Sequence, residues 1–182
     1  MGLLIKNIKN KGEEMNSYYD FYEQDALAKK GGKHIENYLK QQAQIVMVRD
    51  VQDDPYYQQM DVDFVCGAKA NDHIEERKIE VKVDTFFDRS KNYFFELVSN
   101  RTKNSDGCLI MTESDFLFYY FMEKELHIFK TSELQYWLVN NEHRFKKKEV
   151  KNKFYTTMGI IVPRDVFARE CQVWTVDMKP YI

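Results

Sequence analysis

The amino-acid sequence predicts an α+β fold of the α/β-sandwich kind, and three observations carry that prediction. Residues 77–84 (Arg-Lys-Ile-Glu-Val-Lys-Val-Asp) alternate apolar and charged side chains with the period of a strand. Residues 17–44 instead space Ala26, Leu27, Ile35, Tyr38 and Leu39 as a helix does. Downstream, short β-branched and aromatic runs separated by polar turns continue almost to the end, with two helical stretches among them. The chain has 182 residues, enough for one domain with a sizeable core and too few for a second of similar size.

The elements follow in order. Residues 1–16 mix Lys, Asn, Gly and Glu after a short apolar start and read as an N-terminal arm. The helical stretch has Gly31-Gly32 as a break or kink, and its second piece puts Ile35, Tyr38 and Leu39 on one face with Glu36 beside it. Residues 45–48 (Ile-Val-Met-Val) read as a buried strand that Asp53-Asp54-Pro55 ends in a turn. Residues 60–67 form a strand with Asp61 and Asp63 on one face and Val62 and Phe64 on the other. A polar turn at 69–76 then leads to the strand at 77–84, where Ile79, Val81 and Val83 oppose Glu80, Lys82 and Asp84. A further strand is expected at 93–98, then strands at 108–112 and 116–122, with a return strand at 126–129. A helix capped near Thr131 runs to about Val139. A basic stretch at 143–154 precedes a strand at 155–162, a short helix at 164–169 and a last strand at 171–176.

Composition excludes several classes. Lys plus Arg total 27 against 29 Asp plus Glu, a formal charge of −2, so the chain is no uniformly basic nucleic-acid coat protein. Its 27 aromatic residues supply too much burial drive for a disordered acidic tail. No apolar run approaches the ~20 residues that span a bilayer. The apolar start is short for a signal peptide, and Lys6 stands where a myristoylation signal has Ser or Thr; a cytoplasmic protein with no membrane association is expected. Cys66, Cys108 and Cys171 are far apart and odd in number, which points to reduced thiols rather than disulfides or zinc. The four histidines show no ligand spacing and read as surface or packing residues.

The charge is unevenly spread. Residues 50–84 hold ten acidic and four basic side chains, −6, which leaves +4 for the rest. If the strands bearing Asp61, Asp63 and Glu80 pair, their carboxylates converge. Two such charges at ~4 Å repel by about 4 kcal/mol at an effective dielectric of ~20, so a cation belongs among them. Lys82 is one; a hard divalent ion with oxygen ligands, Mg²⁺ or Mn²⁺, is the other. The bland alternative is that Glu80, Lys82 and Asp84 form the wet face of a half-exposed sheet.

The order Asp61-Val-Asp63-Phe, a gap, then Ile79-Glu80-Val81-Lys82 resembles the signature of the PD-(D/E)xK nuclease superfamily. Glu36, in Gly32-Lys-His-Ile-Glu36-Asn-Tyr-Leu, matches the Glu that many members carry on the first core helix. Asn92 and Glu96, in Asn92-Tyr-Phe-Phe-Glu96-Leu, match an Asn and a Glu found in phage and bacterial members. The resemblance covers about residues 31–100. The Pro before the Asp is missing, since Met60 precedes Asp61 and Val62 precedes Asp63. Asp63, followed by an aromatic, is the first choice of ligand, with Asp61 the other.

The resemblance implies a restriction endonuclease-like core, a central mixed β-sheet flanked by helices, over about residues 31–139. A C-terminal β/α extension over about 143–182 completes a single nuclease-like domain. It implies a Mg²⁺-dependent deoxyribonuclease, with Mn²⁺ able to substitute, and a junction resolvase acting as a homodimer as the second choice. Asp63 or Asp61, Glu80 and the Val81 carbonyl would bind one or two ions. Lys82 would orient or deprotonate the attacking water, and Glu36 would hold a metal-bound water or orient Lys82. Arg144, Lys146, Lys147, Lys148, Lys151 and Lys153 are the densest basic patch for double-stranded or branched DNA, with Arg89, Lys91, Arg101 and Lys103 flanking the core strands. Tyr56-Tyr57 borders the site, and Tyr18, Tyr19, Phe21 and Tyr22 read as packing residues. The alternative from another class is a module that keeps the fold without catalysis and binds nucleic acid or protein.

Overall fold

Strand β4 runs further than its alternating half, and the rest of the fold is arranged around it. The structure, a computed structural model, describes residues 3–4, 21–100, 105–151 and 156–182. In order these form β1 (Leu3–Leu4), α1 (Phe21–Lys40), β2 (Ile45–Asp50), α2 (Pro55–Gln58), β3 (Phe64–Ala70) and β4 (His73–Asp84). Then come β5 (Asn92–Asn100), β6 (Ser105–Asp106), α3 (Cys108–Met111), β7 (Phe116–Phe121), β8 (Glu125–Lys130) and α4 (Thr131–Asn141). The chain ends with β9 (Lys146–Lys151), β10 (Thr156–Pro163), α5 (Arg164–Glu170) and β11 (Trp174–Asp177).

Strands β3 and β4 form a hairpin, Phe64 opposite Ile79 and Ala70 opposite His73. The polar turn shrinks to Asn71-Asp72, with Asn71 at φ 52°, a left-handed conformation that asparagine tolerates. Beyond Ile79 the other edge of β4 takes β7 in parallel, from Ile79 opposite Phe116 to Asp84 opposite Phe121. The sheet order is β11-β8-β7-β4-β3-β2, with β1 pairing in parallel to the end of β4. The fold is thus α+β with a central mixed sheet flanked by helices, as the alternating strands and helical stretch predict. A second, antiparallel sheet, β6-β5-β10-β9, lies against it.

Both faces of the central sheet are buried. On one, Ile35, Tyr38 and Leu39 of α1 pack on Val81, Val83, Phe118 and Tyr120. On the other, Leu117, Tyr119, Phe121 and Phe129 meet Tyr93, Phe95, Ile160 and Phe167 of the second sheet and α5. Full burial of each such aliphatic or aromatic side chain is worth about 1.5–3 kcal/mol. A smaller cluster, Val51, Met60, Val62 and Val65, secures the segment that enters β3. His127 is a packing residue: its Nδ1 lies 2.6 Å from the Tyr93 hydroxyl and its Nε2 2.9 Å from Glu125. Cys66 is a buried free thiol and Cys171 a half-buried one. Among the described residues no helix is long and apolar enough to cross a membrane.

Several expected elements come out differently. Gly31-Gly32 does not break α1, which runs on through it; a Cβ at Gly31 would lie 2.7 Å from Val83 Cγ2, so the missing side chain lets the helix sit down on β4. Strand β2 is not buried but forms the sheet edge, with Val46 and Met47 open to solvent. Residues 108–111 make a turn of helix, not a strand. Thr131 is the first residue of α4 rather than its cap, its Oγ1 3.0 Å from Ser114 Oγ. The segment read as a C-terminal extension adds β11 to the central sheet and β9 and β10 to the second.

Candidate active site

Strand β4 carries Glu80, Lys82 and Asp84 on the face turned toward the second sheet, and that cover makes it a dry face. Their residues are 1%, 3% and 5% exposed. Asp84 is bound into the frame of the fold: its Oδ1 accepts from Phe86 N at 2.6 Å and its Oδ2 from the Tyr119 hydroxyl at 2.8 Å. The same Tyr119 oxygen accepts from Phe94 N at 3.2 Å, tying β5 to the central sheet. Lys82 Nζ donates to Glu96 Oε2 on β5 at 2.9 Å, with both side chains nearly closed to solvent.

Asp63 stands just before β3 and is locked to the edge of β4. Its N–H donates to Ile79 O at 2.9 Å, its carbonyl accepts from Val51 N at 2.9 Å, and its Oδ2 accepts from Val81 N at 2.9 Å. Asp115 N and Met122 N donate to Lys78 O and Asp84 O on the β7 side. Strand alternation therefore turns the backbone groups of Val81, C=O as well as N–H, to the edge where Asp63 sits.

Asp61 and Asp63 do not share a strand face by alternation. Asp61 lies in a turn at φ 49° ahead of β3, its carbonyl accepting from Thr112 Oγ1 at 2.7 Å. The turn still leaves the Asp61 carboxyl within electrostatic reach of Lys82 and Glu96, and burial raises it above the usual carboxylate range.

Asp63 and Glu80 are a coupled pair. Burial pushes the Glu80 carboxyl well up, and the Asp63 charge pushes it the same way. Burial raises Asp63 too, against the Val81 N–H bond and a hydrogen bond with the Glu80 carboxyl, which lower it. Both directions favour a proton or a cation shared by the two carboxylates. Both Glu80 oxygens are buried, and no N–H or hydroxyl among the described residues donates to either, while the neighbouring Asp63 carboxyl is close enough to share a proton with Glu80. A buried carboxylate in that condition calls for a proton or a metal ion. Among the described residues no three His, Cys, Asp or Glu side chains form a metal cage. Two carboxylates and a main-chain carbonyl nevertheless fit Mg²⁺, which keeps several of its waters and takes one or two protein carboxylates.

The other expected site residues divide. Glu96 joins the group through Lys82. Glu36 does not: α1 packs on the opposite face of the sheet from Glu80 and Lys82, and Glu36 Oε1 pairs with Lys40 Nζ one turn on, at 2.6 Å. The partner expected of Glu36, Lys82, is held by Glu96. Asn92 sits at the start of β5 with its Nδ2 3.2 Å from Ser90 Oγ, and it makes no bond to Lys82 or Glu80 among those described.

Of the basic residues, Arg144 is engaged by Glu170 through both guanidinium ends, at 2.8 and 2.7 Å, and it holds that carboxyl down to about 2. Lys147 Nζ is 3.8 Å from Glu142. Lys146, Lys148 and Lys151 lie on β9, the outer strand of the second sheet, so the stretch is a strand rather than a loop. Arg89 and Lys91 are exposed in the turn between β4 and β5. Lys153, Arg101, Lys103, Tyr18, Tyr19 and most of the N-terminal arm lie outside the described residues. Tyr57 is half-buried beside the Val62 cluster, with Arg49 bonded to its hydroxyl, and its carbonyl accepts from Met60 N and Val62 N; Tyr56 is exposed.

Two features of the site escape a reading of the sequence. One is Tyr119, which a run of apolar residues conceals. The other is a bulge in β5: Met158 pairs with Val98 and Gly159 with Glu96, leaving Leu97 extra. The isolated glycines Gly107 and Gly159 are its only mark in the sequence. Comparison with family models, curated proteins and solved structures gave no match.

Proposed function

We propose that this chain is a divalent-metal-dependent nuclease that hydrolyses DNA phosphodiester bonds, with a PD-(D/E)xK-type centre at Asp63, Glu80 and Lys82. The observation that carries the reading is the buried Asp63–Glu80 pair, whose Glu80 oxygens lack donors, beside a buried lysine on the same strand. Asp63, Glu80 and the Val81 carbonyl would hold Mg²⁺ or Mn²⁺, which supplies Lewis-acid charge for phosphoryl oxygen and for activation of water. Lys82 brings an ammonium to orient the attacking water and to neutralise charge that develops on the phosphate. The Val81 N–H fixes the Asp63 carboxylate, so the acid pair meets its ion without rearrangement. The exposed Lys146 and Lys151 on the outer strand β9 would bind phosphates along the DNA, a contact blind to base sequence.

The test is incubation with supercoiled, linear, single-stranded and four-way-junction DNA in Mg²⁺ or EDTA. Cleavage is expected in Mg²⁺ alone. Lys82→Ala should lower the rate about 10²–10⁴-fold, and Glu80→Ala should abolish cleavage while the fold persists. Wild-type cleavage by Glu80→Ala refutes the assignment. Preference for the junction by a dimer would make the protein a resolvase. One observation favours a non-catalytic binding module instead, the near-complete burial of Glu80 and Lys82. That reading predicts no Mg²⁺-induced rise in melting temperature, whereas a metal centre predicts a rise that Asp63→Asn removes.

A further inference from the structure

Lys82 follows Glu80 by two residues on one strand face, yet its ammonium does not donate to Glu80. Its Nζ is 2.9 Å from Glu96 Oε2, while both Glu80 oxygens go without a donor. A lysine with three donors beside two buried carboxylates would ordinarily settle on them and neutralise the pair itself. What draws it aside is a carboxylate set in place by the backbone. Glu96, opposite Gly159, is the last residue of β5 before the register shift that leaves Leu97 extra, and a bulge of this kind re-aims the side chain next to it.

Two glycines make room for that backbone. A Cβ on Gly159, opposite Glu96, would lie 2.4 Å from Phe95 O, and a Cβ on Gly107 would lie 2.3 Å from Glu96 O. Any side chain at either position would push the segment that presents Glu96. The Lys82–Glu96 contact is therefore specified from both sides of β5.

We infer that Glu96 is a positioning residue that holds Lys82 off the Asp63–Glu80 pair and so keeps that pair open to a divalent cation; the inference rests on the metal-centre reading given above. Without Glu96 the Lys82 ammonium swings onto Glu80 and competes with the ion from inside the protein.

The test uses Mn²⁺ alone as the probe, titrated calorimetrically into the full-length chain at one pH, with the fold of each variant confirmed by circular dichroism. Glu96→Gln is expected to weaken Mn²⁺ binding by about tenfold, 1.4 kcal/mol. Adding Lys82→Met to Glu96→Gln should restore the affinity to near the wild-type value, because the competing cation is gone. Glu96→Asp keeps the charge but draws it back by a methylene, and should weaken binding too. Wild-type affinity in Glu96→Gln overturns the inference. So does a double variant as weak as Glu96→Gln, which would make Glu96 a direct contact of the ion. Wild-type affinity in Glu96→Asp alongside a weak Glu96→Gln also overturns it, since charge alone would then matter. Glu80→Gln and Asp63→Asn run in the same titration separate the two levels: if neither weakens Mn²⁺ binding, the metal centre itself is misassigned.

Discussion

Replacing Glu80 by glutamine is expected to make the metal-free protein more stable and to remove the proposed DNA cleavage. The carboxyl is 1% exposed, receives no hydrogen bond from an N–H or hydroxyl among the described residues and faces Asp63. A buried polar group without a partner costs about 1–3 kcal/mol, and more when it is charged. Glutamine keeps the shape, cannot ionise, and offers Asp63 an N–H in place of a competing acid. The expected gain near neutral pH is about 1–3 kcal/mol, and for a chain of this length each kcal/mol moves the melting temperature by roughly 2–4 °C.

The pH dependence fixes the cause. The folded-state value for Glu80 is raised above its ordinary 4.5, so between the two the folded protein holds a proton that the unfolded chain has released. Stability then falls as pH rises through that window, and the contribution of this group is fully present only below about 4.5. Glu80→Gln lacks that slope, and groups common to both proteins drop out of the difference. Denaturant unfolding in EDTA, from about pH 5 to about pH 8, should show the variant pulling ahead as pH rises. A variant less stable than wild type at neutral pH, or a difference that does not change with pH, would refute the reasoning. Glu80 would then be a satisfied structural acid, and the ground for placing a metal there would go with it.

Two further outcomes follow from the same geometry. Gly159→Ala brings a methyl to 2.4 Å from Phe95 O and 2.6 Å from Phe94 Cζ; overpacking of this kind costs about 1–3 kcal/mol, and unchanged denaturant unfolding would mean that β5 is free to shift. Arg144→Ala should lower the melting temperature and leave DNA affinity nearly unchanged, because Glu170 already engages that guanidinium. Replacing the exposed Lys146 and Lys151 by alanine should instead weaken the proposed DNA binding and flatten its dependence on log salt by about 2; an equal loss from Arg144→Ala would count against β9 as the phosphate-binding strand.

Legibility in the sequence followed the strength of the local pattern. The β3–β4 hairpin was readable because strict alternation flips every side chain if the register slips by one. Edge and centre were not: Ile45-Val-Met-Val has the composition of a buried strand, and only the absence of a further neighbour among the described residues makes β2 an edge. Cys108-Leu-Ile-Met is too short to show a period, so a helical turn passed for a strand. Gly31-Gly32 reads as a break wherever packing is unseen, since the helical cost of glycine is local while its benefit, close approach to Val83, lies fifty residues away.

The site divides along the same line, between contacts set within one strand pair and contacts set between layers. Asp63, Glu80 and Lys82 are legible as neighbours because a hairpin alone juxtaposes them. Glu36 was misplaced because helical phase shows that Glu36 flanks the apolar stripe of α1, not which face of the sheet that stripe will cover. The pairing of Glu96 with Lys82 sits beside a bulge in β5, which strict alternation along residues 92–100 does not foretell. The wet-face reading of Glu80, Lys82 and Asp84 fails for a related reason. Nothing in residues 77–84 reveals that β5 and β10, brought in from elsewhere in the chain, will cover them. That cover converts an ordinary charged face into a low-dielectric one, where unmatched carboxylates need a proton or a cation and the choice of acid by Lys82 is fixed between layers.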